Sequence, residues 1–282
     1  MTYEPLNEFG IRPVDLTGLE GVEKEAAHQK SSKLWMLSAS SLILVVFLWW
    51  LLSDALSVIP TLYFPTMHQV GIALNNLGWT LATDAGATAW RVVVSWLIGC
   101  ASGTVLGLVM ARSKIAYYII NPLVEALRPV PPVALIPFTL LWFGLSDFGR
   151  IFLAAISCFM IMVVSTVVAA RNVSPVYLRA ARSLGAQPGQ VYRTVVLRAI
   201  LPSLVSAFRV AAALTWAVVV ATEYLGAQSG IGYLILQASY TVNTAVVLIG
   251  VIAVGIEAFL FEQILRVGAA WITRWVDRAE GA

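Results

Sequence analysis

The residues best suited to chemistry lie between Arg171 and Pro202, in a polar stretch bounded by two long apolar runs. This stretch contains no acidic residue and five arginines: Arg171, Arg179, Arg182, Arg193 and Arg198. Guanidinium groups form charge-assisted hydrogen bonds, so the chemistry they offer is non-covalent binding. The composition predicts a docking surface for a soluble partner. The alternative is a basic loop that only sets membrane topology or touches anionic lipid.

The residue order within this stretch predicts two short helices joined by a turn. Ser174 is suited to cap a helix, and Pro175 to occupy its first position. Gly185 stands where a helix end needs a left-handed residue, and Pro188 begins the second helix. Apolar residues then recur every four positions: Val176, Ala180 and Leu184 on the first helix, Val191 and Val195 on the second. This spacing gives each helix an apolar stripe beside its polar face.

Motifs for covalent chemistry are absent from the sequence. It contains no G-x-x-x-x-G-K-[ST], no G-x-S-x-G and no H-E-x-x-H, so we expect neither an ATPase nor another enzyme. The glycines between residues 223 and 233 resemble a phosphate loop only superficially, since no strand precedes them. We expect residues 223–233 to form a looped or re-entrant segment. Cys100 and Cys158 are expected to be small buried hydrophobic residues. The two histidines lack neighbours at metal-ligand spacing, so no metal site is expected.

Composition indicates that membrane helices position these residues. Of 282 residues, 59% are hydrophobic and 12% are charged, whereas soluble domains contain about 25% charged residues. At about 20 residues per span, the apolar runs predict an all-α polytopic fold with about six helices. The predicted spans are residues 34–56, 88–111, 130–145, 151–170, 200–221 and 245–264, and Pro202 is expected to open the fifth. The predicted domains are a tail at 1–33 and a transmembrane domain at 34–282.

Positive charge predicts the orientation of the spans. Of the 18 Lys and Arg residues, 14 fall in the first tail, the loops after spans 2 and 4, and the C-terminal tail. The long loop at residues 57–89 has none. Because basic loops stay in the cytoplasm, both termini and the arginine-rich stretch are expected on the cytoplasmic side.

Two patterns predict unusual packing inside the membrane. Span 3 begins near Pro131 and Pro132, which remove backbone donors. Their bend either packs within a bundle or shapes a translocation path. Span 2 carries a doubled G-x-x-x-G at Gly99, Gly103 and Gly107. Such glycines let two helices approach closely, either within the subunit or at a dimer seam.

Three charged residues lie within or near the spans. Arg91 opens span 2 and Glu223 follows span 5, and each is interpreted as either an interfacial group or a functional one. Arg209 lies inside span 5, where it forms a structural ion pair or carbonyl clamp, or assists the passage of an anion. The candidate pathway residues are Arg209, Glu223, Pro131, Pro132 and Trp142.

At the arginine-rich stretch, the sequence resembles the membrane permeases of type I ABC importers. Their cytoplasmic hallmark has Glu-Ala-Ala, three residues, then Gly, with a Leu-Pro further on. Here Ala180, Ala181 and Gly185 match this spacing. Arg179 stands where the family often has Glu, and Arg198 stands where many relatives have the first of two prolines. The missing acid leaves its specific role open, but not the predicted hairpin.

Further motifs resemble the nitrate, sulfonate, taurine and bicarbonate branch, and most of all the taurine-type permeases. They are Y-F-P-T at 63–66, R-P-V-P-P-V-A-L-I-P at 128–137, W-F-G at 142–144, R-A-A-R-S-L-G-A at 179–186 and E-Y-L-G-A-Q-S-G-I-G-Y at 223–233. Together they are specific for the branch and weak for the substrate.

This resemblance implies a homodimer of permeases that lies in a bacterial plasma (inner) membrane and contacts membrane lipid. The implied protein partners are two ABC ATPase subunits and an extracytoplasmic solute-binding protein. ATP and Mg would bind the ATPases, with no cofactor in this chain and no nucleic acid partner. Residues 171–199 would form the coupling helices. The implied coupling residues are Tyr177, Arg179, Ala180, Ala181, Arg182, Leu184, Gly185 and Ala186.

The implied cargo is a small anionic or zwitterionic solute, taurine- or sulfonate-like. Two alternatives from other classes are an ATP-independent secondary transporter or channel, which would favour inverted repeats, and a membrane-embedded enzyme.

Overall fold

A computed structural model describes residues 40–41, 43–55 and 60–272, and all regular structure within them is helical. Contacts divide the chain into two units, residues 1–61 and 62–282. The first unit contributes helix α1 (Ile43–Ala55), which ends in a π-helical turn. The predicted tail at 1–33, part of the first predicted span and the last ten residues lie outside the described residues.

The second unit is built from nine helices in the part of the chain that the structure describes. They are α2 (Met67–Leu77), α3 (Trp79–Arg112), α4 (Lys114–Leu127), α5 (Ile136–Phe143), α6 (Asp147–Arg171), α7 (Pro175–Ser183), α8 (Pro188–Glu223), α9 (Ile231–Tyr240) and α10 (Thr244–Ile272). Four of these, α3, α6, α8 and α10, are long and apolar enough to cross a membrane. They correspond to predicted spans 2, 4, 5 and 6, each starting earlier than expected.

The glycine row of α3 packs against α6. A Cβ added at Gly103 would lie 2.6 Å from the Phe159 carbonyl oxygen, and one added at Gly107 would lie 2.6 Å from Thr166 Cβ. Gly99 meets Ala155 in the same way. Because residue numbers rise together on both helices, α3 and α6 run parallel. The glycine face of α3 is therefore covered by α6 of the same chain. These glycines serve packing within the subunit.

The core lies where α3, α6 and α8 meet. Near one end of the bundle, Leu153 and Ala154 of α6 pack with apolar residues of α3 and α8. Near the other end, Met162 of α6 packs with a second set of apolar residues from the same two helices. Cys100 and Cys158 are buried free thiols in this core, with their Sγ atoms 3.3 Å apart. The end of the bundle that holds Arg112 and Arg171 is called the hairpin end below, and the other the opposite end.

The position predicted for span 3, residues 130–145, is wrong. The crossing is made by α4 together with residues 132–143, and the two parts are bent by 88°. α4 begins at the hairpin end, where the Arg171 guanidinium lies 3.5 Å from the centroid of the Tyr117 ring. α5 finishes at the opposite end, where Phe143 packs beside Gly149 of α6. The pair therefore reaches from one end of the bundle to the other as one broken crossing.

Polar residues within α4 explain the error. Asn121, Pro122 and Glu125 lower its apolar character, so its sequence reads as a loop. The prolines that follow cannot continue a helix hydrogen-bond ladder, and they place a 3₁₀ turn, Pro132–Leu135, between the two halves. The predicted bend is present, but it lies in the middle of the crossing and not at its start.

The expectation that Pro202 opens span 5 is also wrong. Helix α8 runs without interruption from Pro188 to Glu223, and Pro202 lies inside it. A π-helical segment, Val191–Val196, forms part of its first half. Proline is tolerated inside a membrane helix where neighbouring groups satisfy the freed carbonyl. The second predicted short helix is thus the first part of a 36-residue helix.

Candidate functional site

The arginine hairpin, defined as residues 171–199, has the cap and turn that its sequence predicts. The Ser174 hydroxyl accepts a hydrogen bond from the Val176 N–H at 3.4 Å, and Pro175 is the first residue of α7. Gly185 has φ of 82°, and its N–H donates to the Arg182 carbonyl at 2.9 Å. A side chain strains the backbone in this left-handed region, so glycine is favoured there.

Aromatic residues fix the base of the arginine hairpin to the bundle. The Tyr192 hydroxyl donates to the Leu108 carbonyl of α3 at 2.7 Å, and the Arg112 guanidinium lies 5.5 Å from the Tyr192 ring centroid. Val173 and Val196 are buried in the core beneath. The hairpin is therefore held as a folded part of the bundle.

The tip of the hairpin is left open. Leu184 is 88% exposed and Tyr177 is 62% exposed. The guanidinium groups of Arg179 and Arg182 are exposed, and neither pairs with an acid within residues 60–272. Of the other proposed coupling residues, Ala180 and Gly185 are exposed, and Ala181 and Ala186 are half-buried. The structure thus brings all eight onto one short helix and its turn.

At the opposite end, Arg91 joins three elements through an ion network in which Arg91 and Glu223 are buried and the Asp147 side chain is 59% exposed. Its Nη1 lies 2.6 Å from Glu223 Oε1 and donates to the Ser229 carbonyl at 2.8 Å. Its Nη2 lies 2.9 Å from Asp147 Oδ1. Glu223 is fully buried and Arg91 nearly so. Both side chains point into protein, so the interfacial interpretation holds only in the sense of capping, in which Glu223 accepts from the Gly232 N–H at 2.9 Å.

The same network caps helix α9. Three successive N–H groups at its start donate to buried side chains: Gly230 to Asp84 at 2.8 Å, Ile231 to Thr88 at 2.8 Å and Gly232 to Glu223 at 2.9 Å. The positive end of the helix dipole favours acidic groups there. Sequence reasoning gave this segment no role beyond a loop. Its glycines were the available signal, because their spacing allows close approach of a side chain.

Arg150 extends the network to the loops. It binds Asp147 at 2.7 Å and donates to the carbonyls of Leu145 at 3.0 Å and Gly226 at 2.7 Å. The loop before α6 and the loop after α8 are therefore tied to one side chain. Sequence reasoning missed Asp84, Asp147 and Arg150 as members of this network.

Arg209 of α8 is held in a partly exposed ion pair. Its Nε donates to Glu262 of α10 at 2.6 Å, and the Arg209 side chain is 44% exposed. The structure thus contains the ion pair that was one of the two interpretations. Trp142 is 68% exposed on α5. The described parts of the chain do not bring Arg209, Glu223 and Trp142 to a common site.

Two cavities lie along α6. The first, of about 550 Å³, is lined by the end of α4, the 3₁₀ turn at Pro132, α6 and α8, with Arg128 among its lining residues. The second, of about 610 Å³, lies between α6, α7 and α8 at the hairpin end, and Tyr177 lines it. Ser165 borders both. Of the predicted pathway residues, Pro132 alone borders the first cavity.

Comparison with known proteins gives consistent matches. The family model described as binding-protein-dependent transport system inner membrane component matches residues 103–278. The taurine transport system permease protein TauC of Escherichia coli (strain K12) is 30% identical over 246 residues, covering 85% of this chain and 89% of that protein. The nitrate import permease protein NrtB of Leptolyngbya laminosa is 29% identical over 191 residues, covering 68% of this chain and 67% of its own.

A solved structure also matches the fold. The inward-facing MetNI methionine ABC transporter superposes with a TM-score of 0.55 at 24% identity, covering 68% of this chain and 97% of the matched chain. At this level of identity the likeness concerns the fold alone.

Proposed function

The chain belongs to the family of inner membrane components of binding-protein-dependent transport systems, and on that premise we propose how this ABC importer permease works and what it carries. Its arginine hairpin docks into a cleft of a partner ATPase and transmits closure of the ATPases to the membrane helices. Its cargo is a small sulfonate-like anion or zwitterion, delivered by an extracytoplasmic binding protein to a pair of these permeases. The hairpin carries this proposal, since it is fixed at its base and open at its tip.

The connection between hairpin and membrane supports a mechanical role. Helix α8 begins at Pro188 in the hairpin and continues unbroken to Glu223 at the opposite end. At 1.5 Å per residue, an α-helix of this length extends about 50 Å. A displacement of the hairpin therefore moves one end of a rod whose other end lies in the Arg91 network. Energy passes through rigid contacts, and no residue of this chain reacts.

The distribution of charge supports a cytoplasmic hairpin. Five arginines without an acid occupy the hairpin, and basic segments are retained in the cytoplasm. The ATPase that supplies ATP hydrolysis binds on this side. The network of Arg91 and Glu223 then faces the extracytoplasmic side, where the binding protein delivers cargo.

Sequence similarity supports the choice of cargo. The relative named for taurine transport matches 85% of this chain, and the one named for nitrate import matches 68%. Taurine and nitrate are both small oxyanion-bearing solutes. The family does not favour an ATP-independent transporter, because its members depend on a binding protein.

Reconstitution tests this proposal directly. The permease, its ATPase and its binding protein are incorporated in proteoliposomes, and uptake of labelled taurine is followed with and without ATP. We expect uptake only with ATP and binding protein present, and loss of uptake in Gly185→Trp. Gly189→Trp is the matched control, because residue 189 is an exposed hairpin glycine without the left-handed backbone. Uptake that needs no ATP would refute the importer, and equal effects of both tryptophans would refute the role of the turn.

A further inference from the structure

The first cavity lies at mid-depth in the bundle. Helix α4 starts at the hairpin end, beside Arg171. Its last residue, Leu127, lines the cavity together with Phe159 and Met160 of α6. Helix α6 runs over residues 147–171, so Phe159 is at its middle. The break after α4 therefore sets residue 128 halfway between the two ends.

Arg128 is the charged residue among the side chains that line this cavity. Its neighbours there are apolar apart from Ser157 and Ser165. The side chain is exposed, and within the described ranges its guanidinium has neither an acidic partner nor a hydrogen bond. A cation at mid-membrane is costly and is normally neutralised by a partner or faces a water-filled path.

The other arginines of the spans provide the contrast. Arg91 and Arg150 share Asp147, and Arg209 pairs with Glu262. Each has a carboxylate from this chain to offset its charge. Arg128 has none in the part that the structure describes, so its donors remain available for an anion that enters the cavity.

We propose that Arg128 is the anion-binding residue of the transport pathway and that it takes the sulfonate group of the cargo at mid-membrane. This inference rests on the proposed function. A guanidinium presents two parallel N–H donors to an oxyanion, a geometry that an ammonium group cannot reproduce. The apolar walls around it leave few competing polar contacts and favour a solute with a short alkyl part.

The second cavity is the proposed way out towards the hairpin. Ser165 lines both cavities, and the lining of the second includes uncharged donors. These are Ser165, Asn172, Ser174, Tyr177, Ser203 and Ser206. Hydroxyl and amide groups bind an anion weakly enough to release it. Because Tyr177 belongs to the coupling helix, this exit changes shape when the hairpin moves against its partner.

Uptake by the intact transporter in proteoliposomes tests the proposal. With taurine and methanesulfonate as probes, we expect Arg128→Gln to lower uptake at least tenfold and Arg128→Lys to lower it less. Arg266→Gln, on α10, is the matched control: it removes one exposed cation and lies outside both cavities, so its uptake should stay within twofold of wild type. Wild-type rates in Arg128→Gln, or equal losses in Arg128→Gln and Arg266→Gln, would overturn the site.

Thiol labelling tests the position of the proposed site independently of the identity of the cargo. In Arg128→Cys, sulfonatoethyl methanethiosulfonate should modify residue 128 of the assembled transporter, because the proposal places this residue on a path that small anions enter. Cys100 and Cys158 are buried and should stay unlabelled in the wild type. Labelling with no uptake of either probe by the wild type would refute the proposed cargo and retain the site. Failure to label Arg128→Cys would refute the site whatever the cargo.

Discussion

The two ends of the bundle use charge in opposite ways. At the opposite end, Arg91 and Glu223 are buried and lie 2.6 Å apart. At the hairpin end, Arg179 and Arg182 are exposed and unpaired with any acid in residues 60–272. The first arrangement fixes loops and helix ends to each other. The second leaves its charge to be matched by another molecule.

The comparison separates structural charge from functional charge. A buried pair is retained because removing one partner strands the other, whereas an exposed guanidinium has little effect on the stability of its own chain. Membrane depth alone therefore does not identify a functional charge. Arg128 differs from Arg91 and Arg209 in having no acidic partner within the described residues.

Arg91→Met should produce the largest loss of stability. It leaves Glu223 buried without a cation, and breaking such a pair costs about 3–5 kcal/mol. We expect a low yield of folded protein and a clearly lowered Tm in detergent. The double variant Arg91→Met with Glu223→Gln should recover part of the loss, since it strands no charge. A Tm equal to wild type in the single variant would show that the network does not hold the opposite end together.

Gly232→Ala should have the next largest effect. Its Cβ would lie 2.7 Å from Glu223 Cβ and 2.7 Å from the Val220 carbonyl oxygen. Such overpacking costs about 1–3 kcal/mol. Gly255→Ala, in α10, is the control because its Cβ would meet nothing within 4 Å. Thermal unfolding of the two variants should differ in sign or in size, and equal Tm values would contradict the close packing.

At the hairpin, Gly185→Ala should act through backbone strain alone. A Cβ there meets nothing within 4 Å, but φ is 82°, and a left-handed non-glycine residue costs about 1–2 kcal/mol. Gly189→Ala has equal space and no such strain. We expect protease cleavage in the hairpin to rise only in Gly185→Ala. Similar cleavage of both variants would argue against a turn that depends on glycine.

These contrasts also show which features could be read from the sequence. The long spans and the turn at Gly185 follow from apolar length and local residue order. The bent crossing was misplaced because the polar residues of α4, such as Asn121 and Glu125, lower the apolar character of a segment that the structure shows as a helix. The Arg91 network was missed because its partners are far apart in the sequence, with a separation of 132 residues from Arg91 to Glu223. Single-sequence patterns do not carry such pairings.

Arg209→Gln should have the smallest effect on stability. Its pair with Glu262 is partly exposed, and exposed ion pairs contribute about 0–1 kcal/mol. The Tm should therefore change little, in contrast to Arg91→Met. A loss as large as that of the buried network would mean that exposure does not distinguish the two kinds of charge.

The central claim is that the open charges of the hairpin serve a partner ATPase. The most direct measurement combines Arg179→Glu and Arg182→Glu in one permease and follows ATPase co-purification together with ATP-driven taurine uptake. The control is Arg266→Glu, which reverses the charge of an exposed residue of α10 outside the hairpin. We predict an unchanged Tm in both, with uptake lost only in the hairpin variant. Normal ATPase binding and normal uptake in that variant would contradict the account.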